Sequence, residues 1–269
     1  MDLHLITYAE TYYQSRGYTL IDVPWMVDND VLAITCPPDR KGLEFKGRKV
    51  VASAEQSYLQ LMKEGKLPEG KYVATTPCFR DEPTVDELHQ FYFLKTELIE
   101  VGYHSATPPD ENLENMIHDA VSFFEQFLSV RVERTAIGKD IVDVERGVEL
   151  GSYGIRTHQF SPDCTAQWIY GTGVALPRLS YVLSTQKKGY HDRIIPKAKA
   201  GSFFKMVEEM EEATDAYLSQ NPIMLLVELS DFYGAMELFL EQHLPGVSMD
   251  DVKRMQQVTA RAFKNKVRR

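Results

Sequence analysis

Hydrophobic residues recur along the chain with two periods, and each period marks its own kind of element. Leu3, Ile6, Ala9 and Tyr13 stand three or four apart, the spacing that lines one face of a helix, so residues 3–16 are predicted helical. Gly17 follows as a helix-ending glycine. Tyr18–Val23 then reads as a strand, stopped by Pro24. A helix over 53–65 carries Tyr58, Leu59, Leu61 and Met62 on its apolar side. Tyr72–Phe79 and Gln90–Val101 are instead rich in aromatic and β-branched residues. The polar segment 81–88 joins them, which predicts an antiparallel pair with a long loop. Leu113, Met116, Ile117, Ala120, Phe124 and Phe127 predict a helix over 111–128. Strands are expected near 141–145, 147–156 and 166–172, and a helix after Gly173. Past about residue 200 only helical periodicity remains, over 203–219, 222–243 and 249–265. Strands followed by a helical block predict an α+β fold, with a main domain at 1–200 and a small helical appendage at 201–269.

Composition narrows the class. The chain has 269 residues, 43% of them apolar and 26% charged, the balance of an ordinary soluble globular protein. No apolar run reaches the ~18 residues of a membrane span, and MDLHLITYAETYYQ lacks the basic-then-apolar pattern of a secretory signal. Cys36, Cys78 and Cys164 form neither a disulfide framework nor a C-x-x-C pair, so a reducing, cytoplasmic setting is expected. The net charge of -9 argues against a surface coated for nucleic acid. The clearest basic runs are Lys187–Lys199 and Lys264–Arg269. No internal repeat is present.

Two stretches carry candidate chemistry. In Phe79-Arg80-Asp81-Glu82, Arg80 and Glu82 share a face, because strand side chains two apart point the same way. His89 follows seven residues after Glu82, and Phe93 four after that; Lys95 and Glu97 continue the face of Phe93. Paired across the loop, the two strands would present Arg80, Glu82, Phe93, Lys95 and Glu97 on one sheet face. Charges on otherwise apolar strands must pair or bind something. Arginine suits phosphate by its bidentate geometry, and an aromatic ring suits a nucleobase. A salt-bridged, solvent-facing sheet is the plainer outcome. The second stretch is Tyr170-Gly171-Thr172-Gly173-Val174-Ala175-Leu176-Pro177-Arg178. Its glycines allow either close backbone approach to a ligand or a packing turn between strand and helix.

Taken together, these stretches resemble motifs 2 and 3 of the class II aminoacyl-tRNA synthetases. Motif 2 of that family runs Phe-Arg-x-Glu, a variable loop, His or Arg, three residues and Phe, matched here by Phe79–Glu82, His89 and Phe93. Motif 3 alternates glycine and apolar residues up to an arginine, matched by Gly171 through Arg178. The segment AETYYQSRGYTLIDVP, ending at Pro24, resembles motif 1, a helix and strand that form the family's dimer interface. The resemblance covers roughly residues 3–185. It implies an antiparallel sheet flanked by helices, a homodimer through residues 3–24, and formation of an aminoacyl-adenylate from ATP with Mg²⁺.

It also implies roles. Arg80 would hold the α-phosphate and the amino-acid carboxylate, Glu82 the adenine amino group, and His89 the γ-phosphate. Phe93 would stack on adenine, with Arg178 on the other face and Gly173 close to the nucleotide. Glu149 and Ser152, in ERGVELGSYG, resemble the residues that hold magnesium and phosphate; Asp143 and Glu145 are further metal candidates. Ser53-Ala54-Glu55 resembles the Thr-x-Glu loop that holds the substrate amino group in the seryl, threonyl and prolyl branch. Glu97, with Lys95 beside it, stands where those enzymes face the amino acid. Such a reaction needs alignment and charge neutralisation rather than a protein nucleophile, so the absence of a Ser-His-Asp or Cys-His arrangement is expected. His158 is expected near the site, whereas His4, His104, His118, His191 and His243 follow no pattern.

Unlike in ordinary synthetases, no anticodon-binding domain is expected in this chain. The acceptor would be a tRNA acceptor end or a carrier protein. A non-catalytic nucleotide-binding regulatory module is an alternative. The helical block offers another: Glu208-Glu209-Met210-Glu211-Glu212 precedes Glu228-Leu229-Ser230-Asp231. Acids at i and i+3 share a helix face and can chelate Mg²⁺. The E-x-x-E…E-x-x-D spacing resembles the all-α nucleotide pyrophosphohydrolases of the MazG type. Solvated amphipathic helices packing on the core remain the plainer expectation for this block.

Overall fold

A computed structural model describes residues 3–37, 40–102, 109–162, 164–185, 195 and 197–264. Most of both basic runs, together with His104 and His191, lies outside the described residues. In chain order the elements are α1 Leu3–Ser15, β1 Thr19–Leu20, β2 Met26–Val27, α2 Asn29–Thr35, β3 Glu44–Phe45, β4 Arg48–Val50, α3 Ala54–Lys63, β5 Gly70–Phe79 and β6 Tyr92–Val101. They continue with α4 Pro109–Phe124, β7 Val130–Arg134, β8 Lys139–Asp143, β9 Glu149–Ser161, β10 Cys164–Ala175, α5 Leu176–Ser184, α6 Phe203–Leu218, α7 Pro222–His243 and α8 Met249–Lys264. The fold is α+β, as the periodicity predicts. Two compact units divide the chain: Met1–Glu125 with Ser129–Thr185, and Gln126–Leu128 with Gln186–Arg269.

The first unit is built on a seven-stranded sheet in the order β1-β5-β6-β10-β9-β8-β7. Its strands are antiparallel except that β1 runs parallel to β5. The predicted strand at 18–23 shortens to two residues. Ile21 N still donates to Val73 O over 3.1 Å, after which the chain turns away towards Pro24. The stretch 26–50, for which no element is predicted, holds α2 and a three-stranded sheet, β2-β4-β3. Strands of two or three residues are too short to show a period. The edge strand β7 is likewise absent from the expectation, since most of its residues are charged and exposed.

The two sheet faces pack differently. On one side α3 covers Tyr72, Ala74, Ile99, Trp168 and Tyr170 in a continuous core. On the other lie α1 and α4, which bring in Tyr13, Met116 and Phe123. Gly171 and Gly173 serve this second side. A Cβ on Gly171 would meet Met116 Sδ at 2.6 Å and Tyr153 Cδ1 at 2.7 Å. On Gly173 it would meet Tyr13 Cε2 at 3.0 Å, and Tyr13 Oη donates to Gly173 O over 3.0 Å. These glycines lie within β10 rather than in a turn, and they let α1 and α4 approach the sheet.

In the second unit α6 and α7 form a helical hairpin. Ser202 caps α6 and Asn221 caps α7 through their side chains, and Gln220 in the turn has φ 54°. The expectation of solvated acidic faces is overturned here. Glu208, Glu209, Glu212 and Glu228 are buried, because the acid-bearing faces of α6 and α7 turn inward.

Candidate functional site

The β5–β6 register pairs Cys78 with Phe93, Thr76 with Lys95 and Ala74 with Glu97. Phe93, Lys95 and Glu97 therefore project from one face, on the α3 side. Lys95 Nζ donates to Glu97 Oε1 over 2.6 Å. Glu97 is buried and also accepts from Ser53 Oγ, at 2.8 Å to each oxygen, and from Ala54 N. Ser53 is at the same time the N-cap of α3, accepting from Glu55 N over 3.3 Å. The start of α3 and the middle of β6 are thus tied through one carboxylate.

Arg80 and Glu82 lie just past the end of β5, not within it. Pairing nonetheless carries one residue further, since Arg80 N donates to Phe91 O over 2.8 Å. That keeps the Arg80 guanidinium over the Phe93 ring, 5.1 Å from its centroid. Arg80 Nε donates to Ala52 O over 3.3 Å, and Glu82 pairs with Arg40 at 3.6 Å.

Glu55 lies in the first turn of α3. Its Oε2 pairs with Arg156 of β9, and its Oε1 accepts from Trp168 Nε1 over 2.7 Å. Burial pushes its carboxyl up from the ordinary glutamate value, against the opposing pull of Arg156 and Trp168. Arg156 in turn lies over the Tyr170 ring at 4.2 Å. A Cβ on Gly154 would meet Tyr170 Oη at 2.6 Å, so the tyrosine needs a glycine there.

These residues line two adjoining cavities. One, of 340 Å³, is bounded by Ser53, Glu55, Gln56, Glu97, Arg156 and Tyr170. The other, of 150 Å³, is bounded by His89, Phe93, Glu149, Pro177 and Arg178. Arg80, Glu82, Lys95, Ser152 and Thr172 border both. Gly173 borders neither, because its open side is filled by Tyr13. His158 also borders neither; it packs edge-on against Phe160 at 4.9 Å. His89 stands at the smaller cavity with Nδ1 2.9 Å from Asp86 Oδ1, and that oxygen also accepts from Leu88 N and His89 N.

On the far wall, Arg178 in the first turn of α5 forms an ion pair with Glu149 and donates to Glu149 O over 3.1 Å. Ser152 lies opposite Asp140 in the β8–β9 register, and burial raises the Asp140 carboxyl. The other acidic candidates fall elsewhere. Asp143 is buried and accepts from Arg146 N over 2.7 Å, and Glu145 projects outward against Arg146 at 3.0 Å. Glu149 and Ser152, with Asp140 beside them, are hard oxygen donors at a cavity edge. That set suits Mg²⁺, which needs only one or two carboxylates when phosphates complete its shell.

Arg40, Asp140 and Arg156 stand at or beside the site without having been singled out from sequence, and Tyr170 and Thr172 had been noted only as members of the glycine-bearing stretch. Only Arg156 has a local signal: Ser152, Gly154 and Arg156 alternate on one strand face that otherwise continues a core strand.

No family model matches the sequence, and no curated protein matches it. Solved structures do. A pyrrolysyl-tRNA synthetase from Desulfitobacterium hafniense superposes with a TM-score of 0.51 at 17% identity, over 67% of this chain and 68% of that one. A cytoplasmic serine-tRNA ligase from Naegleria fowleri, in complex with AMP, gives 0.56 at 17% identity, over 70% and 49%. A seryl-tRNA synthetase from Pyrococcus horikoshii, complexed with ATP, gives 0.55 at 19% identity, over 70% and 51%. The chain thus spans about half the length of the two seryl enzymes. Its fold is that of the class II aminoacyl-tRNA synthetase catalytic core.

Proposed function

We propose that the protein activates an amino acid with ATP, forming an aminoacyl-adenylate and pyrophosphate, and passes the aminoacyl group to a tRNA acceptor end or a carrier protein. One observation carries this: Arg80 lies on the border shared by the two cavities. The nucleotide takes the smaller cavity, with adenine on Phe93, its amino group on Glu82, and the γ-phosphate near His89 and Arg178. The amino acid takes the larger, between Ser53, Glu55, Lys95 and Glu97. Their reacting ends, the α-phosphate and the carboxylate, then meet at Arg80, which neutralises both. Glu149 and Ser152 would hold Mg²⁺, which supplies charge neutralisation on phosphate oxygens. Glu55 and Glu97 already hold internal partners, so a substrate ammonium would share their carboxylates with Arg156 and Lys95.

Residues 1–200 would form the catalytic domain, 201–269 the appendage, and residues 3–24 a homodimer contact. Exposed Leu3 and Leu20 on that segment favour the contact. Amino-acid-dependent exchange of pyrophosphate into ATP, screened over the standard amino acids, tests the activity. No exchange with any of them removes it. ATP binding without exchange would leave a nucleotide-binding regulatory module.

The helical hairpin supports a second activity, Mg²⁺-dependent hydrolysis of a nucleotide to release pyrophosphate. It is favoured by the convergence of Glu209, Glu228 and Asp231, one oxygen of each lying within 4.8 Å of the others. Release of pyrophosphate from a nucleoside triphosphate without amino acid tests it; release unchanged by Asp231→Asn counts against it.

A further inference from the structure

Charges of both signs border the larger cavity, and they differ in what they have left to offer. Its two buried acids are spent. Glu97 accepts from Lys95 over 2.6 Å, from Ser53 over 2.8 Å and from Ala54 N. Glu55 accepts from Trp168 at Oε1 and from Arg156 at Oε2. Each of these four oxygens already holds a donor. Of the acids nearer the rim, Glu82 pairs with Arg40 and Asp81 is exposed to solvent.

Arg156 is the opposite case. A guanidinium carries five N–H donors in a planar fork. Nη1 donates to Glu55, but Nε and Nη2 have no hydrogen-bond partner among the described residues. The side chain is 33% exposed and borders the cavity. The fork is also held in place. Glu55 fixes one end, the Tyr170 ring lies under the plane at 4.2 Å, and Gly154 leaves the room that Tyr170 needs. A fixed fork with unused donors suits a carboxylate, whose two oxygens lie in one plane. An ammonium side chain would find the buried acids occupied. An apolar one would cover Nε and Nη2 without giving them an acceptor. Arg80 is already assigned to the α-carboxylate, so a second arginine calls for a second carboxylate.

We propose that the amino acid taken by the larger cavity is dicarboxylic, with its side-chain carboxylate bound by Arg156 while its α-carboxylate lies at Arg80. Arg156 is then the residue that selects the substrate, and Glu55 and Tyr170 position its guanidinium. The inference rests on the amino-acid activation proposed above and names the substrate class for that site.

Pyrophosphate exchange with aspartate, glutamate and 2-aminoadipate, against asparagine, glutamine and lysine, is the test. One of the acids should exceed the amides and lysine in kcat/KM on the order of tenfold or more, the scale of hydrogen bonds to a charged group. Arg156→Lys keeps a charge beside Glu55 and loses the fork. It should raise KM for that acid about tenfold or more, hold KM for ATP, and collapse the acid-to-amide ratio. A purely structural role would lower stability without moving that ratio. Exchange fastest with a neutral or basic amino acid, or an acid preference that survives Arg156→Lys, would overturn the inference and leave activation standing. If no amino acid supports exchange, calorimetric titration of the full chain with the same three acids separates the two readings. Binding of one acid that Arg156→Lys abolishes would sustain the carboxylate site and defeat activation. Binding that survives the variant, or no binding, would defeat both.

Discussion

Trp168 Nε1 donates to Glu55 Oε1 over 2.7 Å, joining β10 to the first turn of α3 across 113 positions of sequence. Both residues are buried, so the bond holds one side of the larger cavity. Trp168→Phe removes the donor and leaves a buried carboxylate oxygen short of a partner, at a cost of about 1–3 kcal/mol. Urea denaturation should show this loss. If Glu55 receives the substrate ammonium, the variant's KM for the amino acid in pyrophosphate exchange should also rise while that for ATP holds. An unchanged stability would contradict the part assigned to this bond.

Arg80 borders both cavities, and its guanidinium lies over Phe93. Arg80→Ala should lower exchange by roughly 10²–10³-fold, the scale of losing a preorganised charge stabiliser, with little change in thermal midpoint. Arg178→Ala should behave similarly. Rates close to wild type in either variant would remove that residue from the reaction.

Glu55 also predicts a pH dependence. Its carboxyl is held above the ordinary value of 4.5, chiefly by burial, with Arg156 and Trp168 pulling it down. A raised carboxyl pKa favours the protonated form in the folded state. Its contribution to stability is fully present below 4.5 and is lost as pH rises through the raised value. Above pH 4.5, urea midpoints should therefore fall less steeply in Glu55→Gln than in wild type. Parallel profiles would show that Glu55 does not titrate abnormally.

Gly171 faces Met116 and Tyr153, and a Cβ there would lie 2.6 and 2.7 Å from their side chains. Gly171→Ala should destabilise the fold by about 1–3 kcal/mol through overpacking, measured as a lower denaturation midpoint. A neutral result would mean that Met116 and Tyr153 move aside freely.

The thiols should separate by reactivity. Burial pushes Cys78 up to about 12, whereas Cys36 is half-buried and lines the larger cavity. An alkylating reagent at neutral pH should modify Cys36 and spare Cys78, and an amino acid that supports exchange should slow the reaction at Cys36 when added with ATP. Undiminished labelling of Cys36 would argue that the cavity is not where substrates bind.

Much of this protein is written in local pattern. The periods of 2 and 3.6 locate β5, β6, β9, β10 and the long helices, because each such element must bury one face whatever it packs against. The spacing of Arg80, Phe93, Lys95 and Glu97 likewise anticipates a shared face, since strand geometry alone dictates it. Partnership was not legible. Whether Gly173 admits a ligand or a helix depends on Tyr13, 160 positions away. Asp143 and Glu145 stand in sequence only as weaker metal candidates beside Glu149, and the turn before β9 directs them elsewhere. Arg156 acquires its part only when Glu55 and Tyr170 meet it across the sheet. The acids of α6 and α7 read as solvated faces because a lone helix pattern does not reveal which side a second helix will cover. Sequence alone determined the elements and the faces they present; tertiary contact decided which charges are buried and which are paired.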